Sequence, residues 1–456
     1  MRKFYFLLLI TSITFGQSAI TPGMVHPKVK QDPTSDKTYA IYLPRDYDVQ
    51  STYPVVFVFD EKGRGDLITQ QFSIGAALTS SIVIGANYEL DSTIKPALKQ
   101  MEELINRSYD QYAIDRDKII LAGFGDASLV TSTSAQLYNS TYGLIAVGDA
   151  FLDKKLLSKN PKLKVSILSP DEGKQFYKLR AYGTGYSLDK FIKGYHVYDG
   201  GDLPESGYLA TALTDILIDE DVEKERVQQF YDTDMAFADL LYKKQKHVYA
   251  YNFVTALKTK YKKILDIDSQ KELAKEIRFN KAFRAKRDRS TVITYGEGLL
   301  AEDFKYYLAE DTQKAFFDNL GWWSYQMDEL DVKIDSTASS KQERKAAIRL
   351  KGFVQNSVEQ QYEIVKAQNS TPEKLLFVNI LRTLVSPSNQ DAFIQVIGLS
   401  AREGDINASL FYLEELLKSG YTDYDNLYAI PYTTALRIGP EWNEIIKDYL
   451  GKSKYY

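Results

Sequence analysis

The apolar positions of this chain follow two rhythms. Through residues 37–220, short apolar runs alternate with segments whose apolar residues recur every three or four positions. Residues 37–44 alternate with period two and stop at Pro44, which is the pattern of a half-buried strand. Residues 53–60, 81–86 and 118–123 are apolar almost without a break. Such runs suit central parallel strands, covered on both faces. Further strands are predicted at 143–147, 164–168 and 193–198, and helices at 66–78, 96–109, 128–138 and 207–218. This alternation specifies an α/β fold with a doubly wound, mostly parallel sheet.

From about residue 222 the rhythm becomes helical throughout. The spacing predicts helices over 228–242, 247–265, 269–281, 302–319, 342–366, 371–384 and 390–401, with loops at 335–341 and 386–389. The boundary between the halves falls at 220–225. Near the C terminus one amphipathic helix covers 404–417 and ends at Gly420, and a second runs from about 440 to 450. This pair resembles a tetratricopeptide repeat, and no clean period extends it through 222–400. The expected organisation is a signal peptide at 1–16, an extension at 17–36, an α/β domain at 37–220, an all-α helical domain at 221–400, and the repeat-like pair with its tail at 401–456.

The signal peptide rests on Arg2 and Lys3, followed by an apolar run at 4–10 that is too short to span a bilayer. Its end, Gly16-Gln17, resembles export signals of the Bacteroidota. The expected location is the periplasm, the cell surface or beyond. No later segment approaches about 18 unbroken apolar residues, so no membrane span is expected in the mature chain. There is no cysteine, which excludes disulfides, thiol catalysis and thiolate metal sites. With 456 residues and 44% hydrophobic content, the chain can bury real cores by packing alone.

Net charge is −4 and the pI about 5.7. The nearest approach to a basic run, residues 281–289, reads as the solvated face of a helix, so nucleic acid is not an expected partner.

Four stretches carry a family resemblance. Residues 39–47 (YAIYLPRDY), 53–60 (YPVVFVFD), 82–86 (IVIGA) and 117–127 (DKIILAGFGDA) follow one another in the order of core strands. They resemble the esterase branch of the α/β-hydrolases, which includes the ferric-siderophore esterases. The resemblance covers residues 37–220. It implies a nucleophile on a sharp turn between strand and helix, of pattern G-x-S-x-G. Here that pattern is Gly123-Phe124-Gly125-Asp126-Ala127, and the nucleophile position is glycine. It implies a histidine base in the loop after the last strand, where Leu203 stands. The acid of the triad persists as Asp171 or Glu172. The oxyanion loop corresponds to residues 61–66, with Glu61, Gly63 and Arg64, beside Asp126, as candidate ligand contacts.

Three histidines exist: His26, His196 and His247. None falls in the loop the resemblance designates, and they form no metal pattern. His196 reads as a packed strand residue, and Ser128 as a hydroxyl in the first turn of a helix. The Arg64-Gly65-Asp66 triplet is expected by chance. Asp91-Ser92-Thr93 and Asp335-Ser336-Thr337 resemble a short O-glycosylation sequon. Trp322 and Trp323 form an aromatic cluster that suits either inter-helix packing or an interface.

A triad without serine and imidazole cannot run acyl transfer, because the acid only orients a base that is missing. The expectation is therefore a pseudo-esterase that acts as a binding or scaffold component of the cell envelope, with another envelope protein as partner and no cofactor. Two alternatives remain. One is a hydrolase with relocated chemistry at Asp126, Ser128 or His196. The other is a glycan or siderophore binder that reuses the old pocket.

Overall fold

A computed structural model describes residues 20–185, 187–219 and 222–455. The signal peptide expected at 1–16 lies outside the described residues.

Eight strands form one sheet: β1 (Val25–Lys30), β2 (Thr38–Tyr42), β3 (Tyr53–Asp60), β4 (Ile82–Ala86), β5 (Ile114–Phe124), β6 (Thr141–Val147), β7 (Lys164–Pro170) and β8 (Ile192–Tyr198). Their order is β1-β2-β4-β3-β5-β6-β7-β8. β2 runs antiparallel to β1 and β4, while β3 runs parallel to β4 and β5. Six helices follow strands in this half: α1 (Gly65–Thr79), α2 (Ile94–Gln111), α3 (Ala127–Leu137), α4 (Lys154–Leu157), α5 (Phe176–Thr184) and α6 (Ser206–Leu217). The fold is a mostly parallel eight-stranded sheet with helices, followed by a helix-rich region.

The continuous apolar runs have a direct cause. Val55 to Phe59 on β3 are all fully buried, and Val56 lies between Val83 of β4 and Ile120 of β5. A strand covered on both faces has no polar side to alternate with.

Two compact units divide the chain. Of the described residues, the first comprises those within 20–146, 151–166 and 205–222. The second comprises those within 147–150, 167–204 and 223–455.

In the second unit the helices are α7 (Lys224–Lys243), α8 (His247–Tyr261), α9 (Asp268–Phe279), α10 (Lys281–Lys314), α11 (Leu320–Asp335), α12 (Lys341–Ala367), α13 (Pro372–Val385), α14 (Gln390–Arg402), α15 (Ile406–Lys418), α16 (Tyr424–Leu427), α17 (Thr434–Arg437) and α18 (Pro440–Leu450). α12 starts on a capping box in which Ser340 and Glu343 satisfy each other's backbone amides. One core gathers Phe304, Trp323, Leu350, Val358 and Phe377. A second gathers Phe393, Leu413, Leu416, Trp442 and Ile446.

α10 departs from the sequence expectation. Periodicity placed a helix at 302–319, whereas one helix covers Lys281–Lys314. Its first half buries little besides Phe283, so it has no core-facing stripe to read. Its start is the Asn280 side chain, which accepts from the Ala282 and Phe283 amides. Its stop is Ala315, which takes a left-handed φ of 49° that glycine would normally advertise.

Candidate functional site

β5 delivers the chain to the elbow, and α3 carries it away. Gly125 turns the corner with φ +58°. A Cβ there would lie 1.9 Å from Oε2 of Glu61. That same oxygen accepts the Asp126 backbone N–H at 3.0 Å. In the fold's hydrolases, the amide that follows the nucleophile donates to the oxyanion. Glu61 therefore sets a carboxylate on the Asp126 N–H, in the space that any side chain at residue 125 would need. The Glu61 N–H in turn donates to the Phe124 carbonyl at 3.2 Å, so the loop is tied to the elbow through backbone and side chain.

The loop owes its shape to Asp60, which is completely buried. Its carboxylate accepts Nε and Nη2 of Arg64, both at 2.8 Å, and the amides of Lys62 and Arg64, both at 3.1 Å. The Arg64 guanidinium is thus turned inward onto Asp60. Gly63 holds φ +62°, and a Cβ there would press on the Tyr88 backbone at 3.0 Å. Of the alternative nucleophiles, Ser128 is completely buried and Asp126 is exposed.

Asp171, the acid that the resemblance designates, belongs to the second unit. Asp171 follows β7, and its N–H donates to the Tyr198 carbonyl at 3.0 Å. Its two carboxylate oxygens accept the Lys345 ammonium at 2.6 and 2.7 Å, and the Tyr249 hydroxyl donates to it as well. Lys345 also reaches Asp199 at 2.7 Å and the Tyr249 oxygen at 3.2 Å. Four residues further along α12, Arg349 pairs both nitrogens with Glu297 of α10 at 2.7 and 2.6 Å. It also donates to the Asp171 carbonyl at 2.7 Å. Tyr177 donates to Glu297 at 2.9 Å. The cationic partner of Asp171 is thus a lysine rather than an imidazole.

His196 is buried on β8, with its ring 5.7 Å from that of Phe253. Leu203 is half-buried in the loop after β8. Trp323 is fully buried and donates to Asp311 at 2.9 Å, so it is closed to a partner. Trp322 packs 4.5 Å from the Tyr307 ring and 5.4 Å from that of Phe304.

Sequence reasoning missed Lys345, Arg349, Tyr249 and Glu297. The signal was present: Lys341, Lys345 and Arg349 recur every four residues, along one face of a helix. These side chains line a cavity of about 430 Å³ within the second unit, among α5, β8, α8, α10 and α12.

Burial alone raises the Asp199 carboxyl pKa, but hydrogen bonds from Lys345 and Lys341 outweigh it and hold the group well below the usual carboxylate range. A depressed folded-state pKa contributes stability above the unfolded value, near 3.9, and loses it as pH falls toward the folded one. Asp199→Asn is therefore expected to flatten the acid limb of the stability curve below about pH 4. Thermal melts of both proteins from pH 7 to pH 2.5 check this, and parallel acid limbs contradict it.

Comparison with known proteins adds fold-level likeness. No known protein family matches the chain, and no curated protein sequence does. A thermostable esterase aligns at 14% identity over 44% of this chain and 61% of its own length, with a TM-score of 0.32. A feruloyl esterase module from Clostridium thermocellum aligns at 12% identity over 44% of this chain and 90% of its own, with a TM-score of 0.35. A poly(aspartic acid) hydrolase from Sphingomonas aligns at 14% identity over 44% of this chain and 99% of its own, with a TM-score of 0.30. The chain thus spans less than two thirds of the thermostable esterase.

Among the described residues no group of three or more His, Asp and Glu could hold a metal ion. No helix among them is long and apolar enough to cross a membrane.

Proposed function

We propose that this chain is a member of the α/β-hydrolase superfamily that has given up ester hydrolysis and works by binding, as a component of the cell envelope. The observation that carries the reading is the Glu61 carboxylate at Gly125. It fills the nucleophile's place and occupies the Asp126 amide at 3.0 Å. A glycine offers no atom for the covalent step, and an anion on the oxyanion donor repels the charge that develops in acyl transfer. The use of Asp171 as the counter-ion of Lys345 supports the same reading, because the acid no longer has a base to orient. The leader-like segment at 1–16 supports export.

Purified protein is expected to hydrolyse p-nitrophenyl acetate and butyrate no faster than a heat-denatured control. Gly125→Ser is expected to stay silent as well. Its Cβ displaces the flexible Glu61 head, yet no imidazole is supplied to take the hydroxyl proton. Turnover by the unaltered chain above about 1 s⁻¹, an ordinary enzymatic rate, overturns the reading.

A further inference from the structure

The cavity of the second unit has a charge that runs against the rest of the chain. Its wall includes six basic side chains: Arg180, Lys246, Lys286, Lys341, Lys345 and Arg349. Only three carboxylates face them: Asp171, Asp199 and Glu297. With His247 neutral, the lining carries a surplus of three positive charges in a protein of net charge −4.

The ion pairs made within the lining itself leave this surplus in place, and Lys246 has a further partner as well. Glu297 is taken by Arg349. Three lysines crowd Asp199: Lys345 at 2.7 Å, Lys341 at 2.9 Å and Lys246 at 3.6 Å. Lys345 alone also serves Asp171. The Lys286 ammonium donates to the Gln245 carbonyl at 3.0 Å, which bonds it but does not neutralise it. Arg180 is exposed and has no carboxylate partner among the described residues.

A concave, low-dielectric wall concentrates such a field on whatever enters. The wall is also partly apolar, with Phe176, Val197, Val248 and Ile293 between the charges. Asn252 and Thr294 add neutral hydrogen-bonding groups. The volume, about 430 Å³, falls within the range of small-molecule sites, about 300–1,000 Å³.

We infer that this cavity is the binding site of a small organic polyanion, with two or three carboxylate or phosphate groups on an apolar body. The inference rests on the binding reading above and gives that reading a place and a ligand class. The buried pairs Lys345–Asp171 and Arg349–Glu297 fix the floor. Arg180, Lys286 and Lys341 supply the charge that meets the ligand.

The test is isothermal titration calorimetry on the full mature chain with three probes: benzene-1,3,5-tricarboxylate, its neutral tricarboxamide and inorganic phosphate. The tricarboxylate is expected to bind, with an affinity that falls as salt rises, while the tricarboxamide gives no heat. The double variant Arg180→Glu/Lys286→Glu changes two exposed heads, and its melting curve is expected to overlay that of the parent. Its dissociation constant for the tricarboxylate is expected to rise at least tenfold. Equal affinity in parent and double variant, or no binding of any anion by the folded parent, overturns the site. Phosphate binding as tightly as the tricarboxylate overturns the organic body. Ester turnover by a protein that still passes the anion tests removes the non-catalytic reading and leaves the cavity assignment standing, so the two failures are distinguishable.

Discussion

Lys345→Met is expected to destabilise the second unit by about 3–5 kcal/mol, the usual cost of removing one partner from a buried ion pair. Lys345 is 4% exposed, and its ammonium is the shared counter-ion of Asp171 and Asp199. Methionine keeps most of the length and apolar stem, so the loss isolates the charge. Asp171, 9% exposed, is then left with a buried negative charge and only the Tyr249 hydroxyl and a long bond from the Gly200 amide, at 3.5 Å, against it. Urea denaturation reads the effect directly. The companion Lys345→Met/Asp171→Asn removes the orphaned charge too, and is expected to recover more than half of the loss. A loss under about 1 kcal/mol at neutral pH contradicts a buried, shared counter-ion and makes the pair a surface one.

How legible this arrangement was depends on the distance over which each contact acts. The central strands announced themselves because Val55 to Phe59 are covered on both faces. The elbow was legible as well, because its geometry needs small residues at Gly123 and Ala127 within five consecutive positions. β1 was not, since half of Val25–Lys30 is exposed and Pro27 argues against a strand anywhere except at an edge, where β1 sits. The occupation of the elbow by Glu61 acts across 65 positions, and no local rule links residue 61 to residue 126. Lys345 lies 174 positions from Asp171, with every intervening element needed to bring them together. What the sequence carried there was a face of basic residues on α12, without its acidic counterpart. The absence of serine and histidine at the positions the resemblance designates was thus readable in the sequence. The contacts that Glu61 and Lys345 make instead are a matter of tertiary packing.

The second large effect is expected at Asp60. Asp60→Ala removes one completely buried carboxylate that holds four donors: two nitrogens of Arg64 at 2.8 Å and two loop amides at 3.1 Å. Each donor left unsatisfied away from water costs about 1–3 kcal/mol, and the stranded guanidinium costs more. Partial solvation of Arg64, whose side chain is 22% exposed, limits the total to about 3–5 kcal/mol. Asp60→Asn keeps one acceptor oxygen and is expected to lose roughly half as much. The structural consequence matters more than the figure. With Asp60 gone, residues 61–64 keep only the contacts of Glu61 with the Phe124 carbonyl and the Asp126 amide, and the second, made by a partly exposed side chain, is expected to loosen. Hydrogen exchange at Asp126 is therefore expected to accelerate at least tenfold in Asp60→Ala, whereas Glu61→Gln, which keeps an acceptor on the same partly exposed side chain, leaves it near the parent rate. A small stability loss together with unchanged exchange in Asp60→Ala means that Glu61 reaches the elbow unaided. The plug would then be an incidental contact of a surface carboxylate, and the inertness of the elbow would rest on Gly125 alone.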